Sequence, residues 1–282
     1  MKIDCRYEIK KDLLLALDDE KITFAQLALE CGLSRGTLEE ALETPSFKDE
    51  VYEKFYSFLY RSGYRVNKAK EEMAKESYGC VLFHGSKLGL EQIGCLGSRP
   101  NCDFGPGFYL GESYSQALAF VCAKEGSSVY SFAADFDGLS EKRFSCDLDW
   151  MLAICHYRGA LKRFGGSPRI AQAIAEAEKA DLIIAPIADN KMYFVMSRFV
   201  DGDINAEVAL HSLAASNLGL QYVFKSEKAI ERLRPLERYY LSQPEKRDCM
   251  ARAEERSKEI DTKLKLAKRE FVSGLYIEEI LK

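Results

Sequence analysis

The chain has 282 residues, with 44 acidic against 40 basic side chains and a formal net charge of -4. That length implies one main core with a smaller unit beside it, and the near balance of charge excludes a global electrostatic pull toward nucleic acid or an anionic membrane. Nine cysteines are scattered singly, with no C-x-x-C pair, which reads as free thiols rather than a disulfide framework. The three histidines, His84, His156 and His211, stand at no metal-ligand spacing, so no metal is expected. The opening Met1-Lys2-Ile3-Asp4-Cys5 lacks the apolar run of a signal peptide, and no stretch approaches the roughly 18 apolar residues of a spanning helix. A cytoplasmic protein with no membrane partner is the expectation.

Residues 1–66 are helical in period, with Leu13, Leu14, Leu17, Leu27, Leu38 and Leu42 on inner faces. Within them, 23–41 reads as helix, tight turn at Gly32, a Ser34 cap and a second helix, with the small Ala28 where the helices cross. This resembles a helix-turn-helix. DNA binding by the helix starting near Arg35 is one reading, and a surface for protein contacts or packing is the other. Glu39, Glu40 and Glu43 follow Arg35 and repel phosphate, and residues 1–70 carry 12 basic against 13 acidic groups, so DNA is not favoured. Residues 67–77 are charged and read as a solvated helix or linker.

The main unit spans 78–240. Strands are expected at 80–84, 128–135, 181–186 and 221–225, and helices at 113–123, 147–158, 170–179 and 205–216. Strands and helices intermix without regular alternation, so the fold class is α+β. From 241 to 282 an amphipathic helix carries Met250, Ala253, Ile260, Leu264, Ala267 and Phe271 near seven-residue spacing, then an apolar tail. It packs on its own domain or zips into a dimer, and two or three heptads favour the former.

Two pieces carry the chemistry. Phe83-His84-Gly85-Ser86 places a histidine where a buried strand ends. Asp103-Phe104-Gly105-Pro106-Gly107-Phe108-Tyr109 flanks an aromatic with glycines, so backbone can approach a flat ligand while a ring stacks on it. Together they suggest a nucleotide pocket. With Gln116-Ala117, the run APIADN at 185–190 and QYVFKSEKAI at 221–230, they resemble, in order, a bacterial family of unknown function assigned to the ADP-ribosyltransferase fold. Through it they resemble the H-Y-E branch that includes poly-ADP-ribose polymerases and diphtheria-toxin-like enzymes.

The resemblance implies a split β-sheet domain that takes NAD as substrate. His84, Tyr109 and Gln221 are its catalytic positions, with His84 on the adenosine-side ribose, the Gly85 backbone on the nicotinamide amide and Tyr109 stacked on the nicotinamide. Ser86, Asp103, Phe104, Gly105, Gly107, Phe108 and Asn190 complete the NAD-binding set. Asp103 either caps backbone amides of its loop or touches substrate, Asp189-Asn190 is a turn or the pocket rim, and Gln116 braces the loop. Lys87 and Arg99 are surface residues or pyrophosphate contacts. Gln221 departs from the glutamate of the pattern. A neutral amide still bonds a ribose hydroxyl but cannot offset a developing cation, at a cost of about 3 kcal/mol of barrier, unless Glu227 or Glu207 helps.

The expected activity is NAD-dependent mono-ADP-ribosylation of an unidentified macromolecule. Such domains act as toxins or defence effectors, and the N-terminal unit would then meet a target, an antitoxin or another protein. The alternatives are a catalytically weak NAD or nucleotide sensor, and a DNA-binding regulator with a ligand-sensing domain.

Overall fold

The computed structural model describes residues 1–18, 22–36, 38–39, 49–214 and 218–282. In α1 (Ile9–Asp18) the helical stripe Ile9, Leu13 and Ala16 is buried, while Leu14 is exposed, against expectation. The second helix, α2 (Phe24–Cys31), starts in a capping box between Thr23 and Gln26 and stops at Gly32, whose φ of 67° is the left-handed turn foreseen there. The helix from Arg35 is described only in part: Leu38 is buried, and Leu42, Glu40 and Glu43 lie outside the described residues. Next comes α3 (Asp49–Arg61), which buries Tyr52, Phe55, Tyr56 and Leu59 against the first two helices.

The charged stretch is a helix, one of its two readings, but packed along one stripe rather than wholly solvated: α4 (Val66–Tyr78). Its Val66, Asn67 and Lys70 form one buried stripe at helical spacing. Lys70 Nζ, fully covered, lies 2.9 Å from Asp12 of α1 and 3.3 Å from Glu237. The charge run hid this stripe because a lysine is ordinarily solvated.

A mixed seven-stranded sheet forms the rest, built from β1 (Val81–Ser86), β2 (Phe108–Gly111), β3 (Ser128–Ala134), β4 (Glu141–Arg143), β5 (Leu182–Pro186), β6 (Leu220–Phe224) and β7 (Leu233–Tyr240) in the order β4-β5-β6-β2-β1-β3-β7. Only β4 and β5 run parallel. Between strands lie α5 (Tyr114–Val121), α6 (Leu148–Tyr157), α7 (Pro168–Ile174), α8 (Asn190–Val200), α9 (Ala206–Ala214) and α10 (Glu227–Ile230). After them come α11 (Gln243–Glu270) and α12 (Ile277–Ile280). Thus α+β holds. The sequence reading lacked β2, β4 and β7 and the helices α8 and α10: β2 lies inside the glycine-flanked motif, β4 is three charged residues, β7 mixes charge into its alternation, α8 follows a proline-bearing loop and α10 is a single turn.

One face of the sheet is continuous and the other is divided. Leu82 of β1 and Phe108 and Leu110 of β2 share one core with Phe132, Ile184 and Phe224. On the other face, β1, β3 and β7 pack Val81, Phe83, Val129 and Tyr239 on α5. The β2, β6 and β5 side there packs Tyr109, Val223 and Ile183 on α6, α8 and α9 as a separate cluster. The long α11 joins the two, giving Cys249 to the first and Ile260, Leu264 and Ala267 to the second. Those contacts spend its apolar face within the chain, the first of the two readings, and Met250 is exposed.

Candidate functional site

The division lies between β1 and β2. Their ladder is one partner pair, Phe83↔Gly111, whereas β1 pairs with β3 along its whole length. In an antiparallel ladder, successive residues send their backbone groups alternately to the two neighbours. The Ala134 N–H on the Cys80 carbonyl, at 3.0 Å, fixes that alternation. Leu82, His84 and Ser86 face β3, and Phe83 and Gly85 face β2. Gly85 thus turns its N–H and C=O toward β2 beyond the point where the ladder stops. Its lack of a side chain has its own cause: a Cβ would overlap the Ala117 carbonyl oxygen of α5 and lie 3.0 Å from Val121 Cγ1.

His84 spans the parting strands. Its ring stacks on Phe108, with centroids 4.6 Å apart, and Nδ1 lies 2.8 Å from the Tyr109 carbonyl. A carbonyl only accepts, so Nδ1 carries the proton and Nε2 of the neutral ring is the free acceptor. Burial lowers the pKa of this imidazole, the Tyr109 bond opposing it in part, and the neutral form prevails. A side chain here does the work of a missing backbone rung.

Tyr109 lies on the divided face, as does Gly85. Its hydroxyl donates to the Gly105 carbonyl at 2.6 Å and accepts from the Phe104 N–H at 3.1 Å. Burial pushes that hydroxyl's pKa up, so it stays protonated. The loop it grips needs both glycines. Gly105 has a φ of 73°, and a Cβ on Gly107 would lie 2.7 Å from Val223 Cγ1 and 3.2 Å from the Phe224 oxygen. Lys225 donates to the Phe104 carbonyl and sits over the Tyr157 ring, its pKa lowered by burial.

Gln221, opposite Gly111 across the β2–β6 ladder, is buried and committed at one end. Its Nε2 donates to Asp103 Oδ2 at 2.9 Å and to the Pro186 carbonyl at 3.1 Å. That carbonyl also accepts from Trp150 Nε1 at 3.1 Å. Both partners are acceptors, so the amide orientation is unambiguous and Oε1 is the remaining acceptor. The other Asp103 oxygen accepts from Arg158 Nε at 2.8 Å and Nη2 at 2.5 Å. Arg158 in turn reaches the Ala188 carbonyl at 3.2 Å and lies over the Tyr193 ring.

The structure brings His84, Gly85, Phe108 and Tyr109 to the parting of β1 and β2, and ties Asp103 and Gln221 together one strand away. The Phe104 ring is fully buried among Phe144 and Tyr157, and its backbone serves the loop. Asp103 holds Arg158 and Gln221 rather than capping its loop. Ser86 donates its hydroxyl to the Gly89 carbonyl. Asn190 is exposed at the start of α8, where Asp189 accepts from the Met192 N–H at 2.8 Å. Gln116 completes a capping box with Ser113 and donates to the Leu218 carbonyl at 2.5 Å, tying the start of α5 to the approach to β6. Lys87 and Arg99 are exposed; Glu227 accepts from the Cys95 thiol at 3.0 Å, and Glu207 stands beside Gly274. Sequence reasoning missed Arg158 and Lys225. The arginine closes an otherwise apolar helix, and the lysine ends the QYVFK run, two faint signals.

Among the described residues no cluster of three or more His, Cys, Asp or Glu is placed to hold a metal, and no helix is long and apolar enough to cross a membrane. No curated protein matches the chain, and no solved structure matches it. The model of one family, described as "Protein of unknown function (DUF3990)", matches residues 80–234, from the residue before β1 into β7. That is more than half of the chain, which therefore belongs to this family.

Proposed function

We propose that the chain is an NAD-dependent mono-ADP-ribosyltransferase with an ADP-ribosyltransferase-like split sheet. The observation that carries this reading is the parting of β1 from β2 after a single pair, with the Gly85 backbone turned toward the gap and Tyr109 on the same face. An amide such as nicotinamide offers one donor and one acceptor edge, which the N–H and C=O of one extended residue match. The Tyr109 ring, its hydroxyl anchored on Gly105, gives a flat apolar surface for the leaving base. Neutral His84 offers Nε2 to a ribose hydroxyl, and Gln221 Oε1 offers a second acceptor. Transfer breaks the bond between the ribose carbon and nicotinamide, joins that carbon to an acceptor nucleophile and releases nicotinamide and the acceptor's proton. The chain contributes orientation and dipoles rather than a carboxylate beside the developing positive charge.

The test is nicotinamide release from NAD by the purified protein, alone and with bacterial lysate, beside His84→Ala. Release that falls by about a hundredfold or more without His84 is the expected result. Because burial holds the imidazole below the ordinary 6.5, release should persist at pH values somewhat under 6.5. The neutral amide of Gln221, its nitrogen committed within the chain, favours one second reading, an NAD sensor without turnover. Calorimetric binding of NAD with no release in either setting would replace the first reading with this one.

A further inference from the structure

We propose that Asp103, held by Arg158, is a positioning residue that dictates glutamine at position 221 and fixes which end of its amide is presented to a ligand. The carboxylate and the glutamine are both more than nine-tenths buried, and each has its polar atoms assigned. Arg158 takes Oδ1 of Asp103 through two nitrogens, and Oδ2 takes Nε2 of Gln221 at 2.9 Å. The second Nε2 proton goes to Pro186, whose carbonyl is itself pinned by the buried Trp150 indole. Oε1 accepts from none of the described residues.

A glutamate at 221 would set an oxygen where Nε2 now lies, against a buried carboxylate and a carbonyl, with no proton between them. Such a group must leave the position and lose the bond to Asp103, or take up a proton that serves Asp103 or the Pro186 carbonyl but not both. The glutamine is thus the complement of Asp103. The arrangement also predicts its own inverse. Asparagine at 103 keeps Oδ1 for Arg158 and turns an Nδ2 donor toward position 221, where a glutamate oxygen then finds the bond that the glutamine nitrogen gave. That exchange restores the bond between 103 and 221 and puts a charged acceptor at 221, while the Pro186 carbonyl keeps only its bond from Trp150.

The experiment compares Gln221→Glu, Asp103→Asn and the double variant with the unaltered full chain, by thermal unfolding and by nicotinamide release from NAD. Gln221→Glu should lower the melting temperature by about 5 °C or more, and adding Asp103→Asn should restore most of that loss. If the single variant does not accumulate folded, recovery of folded protein in the double variant carries the same meaning. A double variant that melts at the sum of the two single losses, or that stays unfolded, overturns the proposal. The activity arm rests on the transferase reading, and release by the double variant should exceed that of Gln221→Glu by at least about tenfold. Restored stability with no release from any protein, the unaltered chain included, would support the positioning role and sink the transferase reading instead.

Discussion

The contact between the N-terminal helices and β7 and the gap between β1 and β2 both put polar groups under cover, and they differ in where those groups end. At the first, Lys70 meets Asp12 and Glu237, Tyr56 donates to Asp12, and the rings of Tyr7, Tyr52 and Tyr56 close on Tyr240 with centroids 5.0 to 5.7 Å apart. The central charges there, Lys70, Asp12 and Glu237, are paired within the chain. At the second, His84 and Gln221 are each bonded at one end only, and the Gly85 backbone faces a ladder that has stopped. Charges paired within the chain fix how two units sit together, whereas buried groups bonded at one end leave bonding capacity for a ligand.

The largest way to break this contrast is to remove the central cation. Lys70→Met leaves Asp12 and Glu237 buried without it, and a loss of about 3–5 kcal/mol in urea unfolding is expected. Because none of these groups faces the β1–β2 gap, NAD turnover per folded molecule should match the unaltered protein. A loss under about 1 kcal/mol would mean that the interface is open to water and not closed as described.

Next in size is Gly85→Ala, which acts on the other region. The new methyl meets helix backbone at Ala117 rather than a side chain that can swing away, so a cost of about 3 kcal/mol is expected, at the upper end for overpacking. Release of nicotinamide should fall further than stability alone explains, since β1 would shift where its backbone faces the gap. A folded, fully active Gly85→Ala protein would remove this glycine from the site.

How much of this could be read beforehand follows the same division. The short-range features were legible: the left-handed Gly32, the strand that carries His84, though it runs on to Ser86 rather than ending there, the glycines around Tyr109 and the buried strand at 182–186 all declare themselves within a few residues. The pairing of Asp103 with Gln221 joins residues 118 apart, and Lys70 with Glu237 spans still more sequence. No local pattern encodes such bonds. Lys70 was the hardest, because a lysine in a charge run looks solvated until the carboxylates that surround it are placed. Gln221 was visible as a departure, but its reason needed the position of Asp103.

The smallest expected effect sharpens what closed means, since the N-terminal interface pairs its central charges yet holds one group with a displaced titration. Glu245, near the start of α11, is buried beside Asn67, whose Nδ2 donates to it at 3.0 Å and to the Tyr114 hydroxyl at 2.7 Å. Burial pushes its carboxyl up to about 7 from 4.5, against the opposing bonds from Tyr114 and Asn67 and the charges of Arg65 and Arg252. A raised carboxyl means that the folded chain holds a proton the unfolded chain has released between pH 4.5 and 7. Stability from this group is therefore greatest at the acid end of that window and falls as pH rises, by about 2 kcal/mol between pH 5 and 7. Glu245→Gln keeps the shape and never ionises, so its unfolding free energy should stay flatter over that range and exceed that of the unaltered chain above pH 7. Denaturant unfolding of both proteins at pH 5, 6, 7 and 8 measures this. Parallel curves would assign the pH dependence to other groups, and the interface would then be closed in protonation as well as in its ion pairs.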